Sequence, residues 1–227
     1  MREVMITLLP VDCLRSHLGD AARLLPAARY EKMMRYRQEE DRLRCFASSL
    51  LLQKAVQGRS ISYNEEGKPL AQGKFFNLSH SGAYAVLAEA KCSVGVDIEE
   101  MVPYSDWVRE ALTSSEYEWM LQGKDESERQ ERFYRLWTRK ESLVKCEGHG
   151  FSLSPGEIST MPVAEKKLTK YAGKAYGICS LNLGNYMLSA ALLGMQPLLM
   201  MHEISWDELT VDKSTNVKLA PDLTDSS

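Results

Sequence analysis

Asp97 and Glu99 stand two apart in Gly95-Val-Asp-Ile-Glu99, inside a stretch where Val94, Val96 and Ile98 alternate. That alternation puts the valines and the isoleucine on one face of a strand, and Gly95, Asp97 and Glu99 on the other. Carboxylates at this spacing are roughly 7 Å apart along the backbone, near enough to converge on one cation. A second charged set lies in the helical pattern Phe133 to Lys145, where Phe133, Leu136, Trp137 and Val144 form an apolar stripe. Lys140 falls in the middle of that stripe, and Glu141 and Lys145 lie one turn apart on its flank. Three carboxylates from a strand and a helix make a hard oxygen site suited to Mg²⁺, which keeps waters and takes its remaining ligands from phosphate. Two lysines beside it would neutralise a pyrophosphate. A third set, Ser79-His80-Ser81-Gly82, offers hydroxyls, an imidazole and backbone amides around a glycine, the makings of a phosphate cradle.

Each set also has an ordinary explanation. Lys140 can snorkel its ammonium to water, and Glu141 with Lys145 can be a surface pair contributing about 0.3 kcal/mol. Asp97 and Glu99 can be the wet face of an edge strand, and His80 a histidine exposed in a turn.

The elements that must carry these residues follow from pattern and punctuation. Val4 to Leu9 predicts a strand closed by Pro10. A mostly helical region follows, with Pro26 in a first turn and a second helix from about Glu39 to Gln57. Arg29, Lys32, Arg35, Arg37, Arg42 and Arg44 lie there among Glu31, Glu39, Glu40 and Asp41, a mixed-charge face with one or two residues left for a ligand. Tyr63 to Pro69 is turn chemistry, which puts Lys68 on a loop. Phe75 to Leu78 predicts a strand entering the polar turn 79–82, and Tyr84 to Ala88 a strand leaving it. Thr113-Ser-Ser-Glu116 has the form of a capping box opening a helix to about Gln122. Residues 123–132 read as a polar loop, and the helix after them should end at Gly148-His-Gly150. Strands are expected near Ala175 to Leu181, Tyr186 to Leu193 and Leu198 to Ile204, then a disordered acidic tail past about Thr210.

A chain of 227 residues, 44% hydrophobic and 26% charged, belongs with soluble globular proteins, and a net charge of −3 argues against general nucleic-acid binding. Residues 1–60 nonetheless carry 11 Lys and Arg against 7 Asp and Glu, so an anionic ligand fits the N-terminal third. Five widely spaced cysteines without a C-x-x-C pair predict reduced thiols in a cytoplasmic protein. There is no signal-peptide pattern, and the uncharged run 175–202 is too broken by glycine, asparagine and proline to span a membrane.

Phe76-Asn-Leu-Ser-His-Ser-Gly82, Gly95-Val-Asp-Ile-Glu99 and Phe133-Tyr-Arg-Leu-Trp-Thr-Arg-Lys-Glu-Ser-Leu-Val-Lys145, in this order and spacing, resemble a 4′-phosphopantetheinyl transferase of the Sfp type. Weaker similarity runs from about Lys32 to Trp206. Such enzymes move the phosphopantetheine arm of coenzyme A to a serine of an apo acyl or peptidyl carrier protein and release adenosine 3′,5′-bisphosphate. The resemblance implies an α+β fold of two similar subdomains related by pseudo-twofold symmetry, residues 1–100 and 101–210, with residues 211–227 as the tail and the ligand in the cleft between the halves. It implies a monomer acting on coenzyme A with Mg²⁺, without nucleic acid or membrane. Asp97, Glu99 and Glu141 match the family's metal ligands, with Lys140 and Lys145 beside the diphosphate. Ser79 and His80 match contacts to coenzyme A phosphates, Lys68 matches the loop near its adenine nucleotide, and Lys32 and Arg44 match the surroundings of the 3′-phosphate. Ala28 departs from the pattern, since family members often carry a basic residue there; Arg29 is the adjacent substitute. Glu116 matches a further acidic position near the metal, although its capping box explains it equally.

Two rivals stand beside this reading. A protein that only binds coenzyme A or a carrier would have no need to gather mutually repelling carboxylates. Another Mg²⁺-dependent phosphohydrolase or nucleotidyltransferase would account for the carboxylates but not for the His80 turn and the tryptophan helix in the same order.

Overall fold

A computed structural model describes residues 2–104, 107–148, 150, 154–161, 163 and 167–211. Strand β1 (Glu3–Pro10) leads through a 3₁₀ segment (Val11–Asp20) into helices α1 (Ala21–Leu24), α2 (Ala27–Met34) and α3 (Glu39–Val56). A small hairpin of β2 (Ser62–Tyr63) and β3 (Pro69–Leu70) precedes β4 (Phe75–Ser81), β5 (Tyr84–Ala90) and β6 (Val94–Glu100). Then come α4 (Val108–Ala111), α5 (Ser114–Leu121) and the long α6 (Glu126–Glu147). Strands β7 (Thr169–Tyr171), β8 (Lys174–Asn182), β9 (Tyr186–Leu193) and β10 (Leu198–Glu203) and helix α7 (Trp206–Val211) complete the described chain. No described helix is long and apolar enough to cross a membrane.

Eight of the strands form two four-stranded sheets, ordered β10-β1-β5-β4 and β6-β9-β8-β7. Alternation explains how they stack. Val4, Ile6, Leu8, Val86 and Ala88 of the first sheet meet Val94, Val96, Ile98, Leu188, Ala190 and Leu192 of the second in one buried cluster. Each valine, leucine or isoleucine among them contributes about 1.5–3 kcal/mol when fully buried. On the outer face of the first sheet, Leu9, Phe76 and Leu87 receive Phe46, Leu50 and Leu51 of α3. On the outer face of the second, Ile178 and Ala191 receive Leu143 and Val144 of α6, and Met187 receives Phe133 and Leu136.

The sheets do not divide the chain at residue 100. β6, placed by sequence at the end of the first half, pairs antiparallel with β9, and β10 crosses back to lie parallel to β1. Two element boundaries also differ from expectation. Residues 126–132 are not loop but the first turns of α6: Asp125 caps the helix by accepting the Glu128 amide at 2.8 Å, and Arg132 pairs with Glu128. The segment is polar because it is a solvated helical face, as i,i+4 pairs indicate. Ser79, His80 and Ser81 belong to β4 rather than to a turn, which lies at Gly82 (φ 49°) and Ala83. The capping box at Thr113 and Glu116 is present, and α6 ends at Gly148 in the left-handed conformation (φ 95°) that glycine accommodates. The expected tail falls outside the described residues from 212 onward.

Candidate active site

The cleft is built where two sheet edges meet. β6 ends the second sheet, so its outward amides have no partner strand. Side chains of β4 take them instead. The Asn77 carboxamide oxygen accepts the Val96 N–H at 3.0 Å, the Ser79 hydroxyl accepts that of Ile98 at 3.5 Å, and the Ser81 hydroxyl accepts that of Glu100 at 3.0 Å. The two serines then donate across the same seam, Ser79 to Asp97 Oδ1 and Ser81 to Glu99 Oε2, both at 2.8 Å.

α6 closes the site from the other side, and Gly95 sets how near it comes. A Cβ on Gly95 would lie under 3.0 Å from the Ser142 carbonyl oxygen and the Cys146 amide nitrogen. The missing side chain therefore lets the strand rest on the helix backbone, and Ser93 adds a hydrogen bond to the Cys146 carbonyl at 2.5 Å. In this register Lys145 Nζ donates to Asp97 Oδ1 at 2.6 Å and to Ser79 at 3.2 Å. Asp97 is 2% exposed, and among the described residues its Oδ2 has no hydrogen-bond partner.

Asp97, Glu99, Glu141 and Lys145 line a cavity of about 440 Å³ with Ser79 and His80 of β4. The lining also takes in Arg29 and Lys32 of α2 and Arg44 of α3, joined by Tyr36, Asp41, Tyr63, Gly67 and Pro69. Arg29 is steadied by donating to Ser49 at 3.1 Å, and Arg44 by Asp41 at 2.6 Å and the Gly82 carbonyl at 3.1 Å. Burial, then repulsion from Asp97 and Glu141, pushes Glu99 up to about 7 against the opposing pull of Ser81 and Lys145. Burial also raises Glu141, with Asp97 adding to it and Lys145 opposing. Burial alone would lower Lys145, but the summed field of Asp97, Glu141 and Glu99 keeps it raised, so it carries its proton. Burial, with Lys145 and Arg44 nearby, holds His80 below the ordinary imidazole value.

Three predicted site residues stand elsewhere. Lys140, expected beside the diphosphate, neither lines the cleft nor snorkels to water. Its fully buried ammonium pairs with Glu116 at 2.7 Å and donates to the Ala111 and Pro155 carbonyls at 2.9 and 2.7 Å. The cause is one residue of helical rotation, about 100°, which turns Lys140 away from the face of Glu141. Glu116 is spent in the same knot, accepting the Thr160 amide at 2.8 Å and closing its capping box. Lys68 donates to the Lys145 carbonyl at 2.5 Å and Asn64 to the Gly148 carbonyl at 2.5 Å, so the hairpin loop caps the C-terminal end of α6 while its Tyr63, Gly67 and Pro69 face the cavity. Sequence reasoning missed Tyr36, Tyr63 and Asp41. Nothing in composition distinguishes a rim tyrosine from a surface one.

The donor chemistry fits a hard divalent cation, since Asp97, Glu99 and Glu141 line one cleft, the first with an unpartnered buried oxygen and the other two with raised proton affinity. Among the described residues no three Asp, Glu, His or Cys side chains are grouped so as to hold a metal ion as they lie. Lys145 occupies one oxygen of Asp97, the place a cation would contest.

Residues 93–191 match the family model of the 4′-phosphopantetheinyl transferase superfamily. Over 185 residues the chain is 30% identical to the 4′-phosphopantetheinyl transferase HetI of Nostoc sp., covering 73% of this chain and 78% of that one. It is 33% identical over 150 residues to a 4′-phosphopantetheinyl transferase of Bacillus subtilis, covering 60% of this chain and 66% of that one. To the 4′-phosphopantetheinyl transferase Sfp of Bacillus subtilis it is 33% identical over 135 residues, 54% of this chain and 60% of that one. The chain thus spans less than two thirds of these Bacillus relatives.

Proposed function

The chain belongs to the 4′-phosphopantetheinyl transferase superfamily, and on that premise we propose that it transfers the 4′-phosphopantetheine group of coenzyme A to a serine of an apo acyl or peptidyl carrier protein, releasing adenosine 3′,5′-bisphosphate. The observation that carries the reading is one cleft that gathers Arg29, Lys32 and Arg44 from α2 and α3 with Asp97, Glu99, Glu141 and Lys145 from β6 and α6. Such a cleft suits a ligand that is anionic at one end and reacts at a diphosphate at the other.

Asp97, Glu99 and Glu141 are the residues to hold Mg²⁺, which when bound neutralises the diphosphate and the departing bisphosphate. Lys145, protonated and free to leave Asp97, donates to the diphosphate bridge. His80 gives a hydrogen bond to a phosphate oxygen, and Ser79, whose proton Asp97 accepts, lines the same part of the cleft. Arg29, Lys32 and Arg44 receive the nucleotide phosphates, with Tyr36 and Tyr63 offering apolar faces to the purine. The carrier serine oxygen attacks the phosphorus bearing pantetheine, the bond to the adenosine bisphosphate breaks, and the serine proton passes to the Glu141 carboxylate. Lys68 and Lys140 act as supports of α6 in this scheme. We further read the two helix-on-sheet halves as repeats about a pseudo-twofold axis. A cytoplasmic monomer agrees with five free thiols and with both walls of the cleft coming from one chain.

Incubation with coenzyme A, Mg²⁺ and apo carrier proteins, followed by intact-mass measurement, should add about 340 Da to the carrier, one phosphopantetheine arm. Unchanged mass across acyl and peptidyl carriers would overturn the reading.

A further inference from the structure

We infer that Ser81 is a positioning residue for the metal site, holding Glu99 in place from behind the cavity wall. This rests on the reading of Asp97, Glu99 and Glu141 as Mg²⁺ ligands. The sequence offers the Ser81 hydroxyl to a phosphate cradle, but Ser81 does not line the cavity.

The argument begins with the seam between the sheets. Positions 77, 79 and 81 lie on one face of β4, and their side chains stand where a neighbouring strand would place its carbonyls. A hydroxyl has one proton to give and two lone pairs. Ser81 commits a lone pair to the Glu100 amide at 3.0 Å, which fixes the hydroxyl oxygen relative to the β6 backbone. Its proton then goes to Glu99 Oε2 at 2.8 Å. The result is a short closed path from backbone amide to hydroxyl to carboxylate, in which the carboxylate's orientation is tied to its own strand. Ser79 forms the same path to Asp97, but it also meets Lys145 and the cavity, so its removal would disturb several things at once. Ser81 isolates the orienting effect. Partners of this kind commonly alter metal affinity 10–100-fold, because a ligand free to turn must be reordered when the ion arrives.

The test uses the full-length protein, saturating coenzyme A and Mn²⁺ as the spectroscopic cation, with free Mn²⁺ followed by electron paramagnetic resonance. Ser81→Ala should raise the Mn²⁺ dissociation constant about tenfold. Ser81→Thr, which restores the hydroxyl, should return it to the wild-type value. Coenzyme A binding without metal should be the same in all three. In transfer assays the KM for Mg²⁺ should rise for Ser81→Ala while kcat at saturating Mg²⁺ changes little. If Ser81→Ala does not fold, Ser81→Cys keeps the shape, loses the strong donor and should show the same weakening. Equal Mn²⁺ affinity in wild type and the folded hydroxyl-less variant, with only the melting temperature lowered, makes Ser81 a seam residue and overturns the inference alone. Wild-type protein that takes up no Mn²⁺ overturns the metal reading of the cleft, and this inference with it.

Discussion

Glu99→Gln should make the metal-free protein more stable, by an amount that grows with pH. The Glu99 carboxyl titrates at about 7 in the folded protein against 4.5 ordinarily, and at about 1.36 kcal/mol per pH unit that difference amounts to at most about 3 kcal/mol. Below the unfolded value both states are protonated, and the wild type suffers no penalty. As pH rises, the unfolded chain ionises first while the folded carboxyl keeps its proton, so stability falls until pH passes the folded value, after which the penalty is constant. Glutamine carries none of this cost and can still accept the Ser81 hydroxyl. Urea denaturation in EDTA should therefore give nearly equal stabilities near pH ~4.5, with the variant ahead by up to about 3 kcal/mol above neutrality, or about 6–12 °C in Tm for a chain of this size. Adding Mg²⁺ with coenzyme A should then favour the wild type, by about 2.7 kcal/mol at a hundredfold excess over Kd, and close the difference. A variant advantage that does not change with pH, or a wild type more stable throughout, would refute the convergence of these carboxylates.

Glu141→Gln should lower kcat for transfer by about 10² or more while the circular dichroism spectrum stays native and the metal-free protein melts no lower than wild type; near-normal turnover would remove Glu141 from the chemistry. Lys140→Met should cost about 3–5 kcal/mol in a denaturant titration, because it strands the Glu116 carboxylate in a fully buried site, and adding Glu116→Gln should recover part of the loss. A folded, stable Lys140→Met that has lost transfer would instead return Lys140 to the diphosphate. Gly95→Ala should destabilise by about 1–3 kcal/mol and also lower kcat, since the new methyl meets α6 backbone that cannot yield without carrying Lys145 away from Asp97.

Several strands and the long α6 were legible because their periods are local: β6 alternates, α6 repeats every three to four residues, and Gly148 and the Thr113 box mark ends. Asp97, Glu99, Glu141 and Lys145 could be read as one site because two periodicities independently put them on exposed-type positions of apolar elements, and the cleft does gather them. The same helical pattern misled at Lys140. A lysine in an apolar stripe has two physical outcomes, water or a buried acid, and only the tertiary placement of Glu116 decides between them. Residues 126–132 looked like loop because a helix face solvated all round has no apolar period to detect. Lys68 was placed on its loop correctly, but the direction of its side chain depends on where the end of α6 lies, which no local pattern encodes. The seam of Asn77, Ser79 and Ser81 was likewise invisible, since polar residues at alternate strand positions ordinarily mean solvent.

The return of β10 to the side of β1 has a consequence for how the chain is made. Glu3 lies opposite Leu198 and Leu8 opposite Glu203, so β1 takes one of its two neighbours from about 195 residues further along the chain. At a synthesis rate of about 5–20 residues per second, that neighbour arrives roughly 10–40 s later. In the interval one edge of β1 shows an open row of backbone donors and acceptors beside the apolar side chains of Val4, Ile6 and Leu8. Until its partner emerges, the nascent chain is a substrate for chaperones and for wrong strand pairing. A nonsense change shortly before residue 198 would make that exposure permanent, removing a strand from the half of the molecule encoded first.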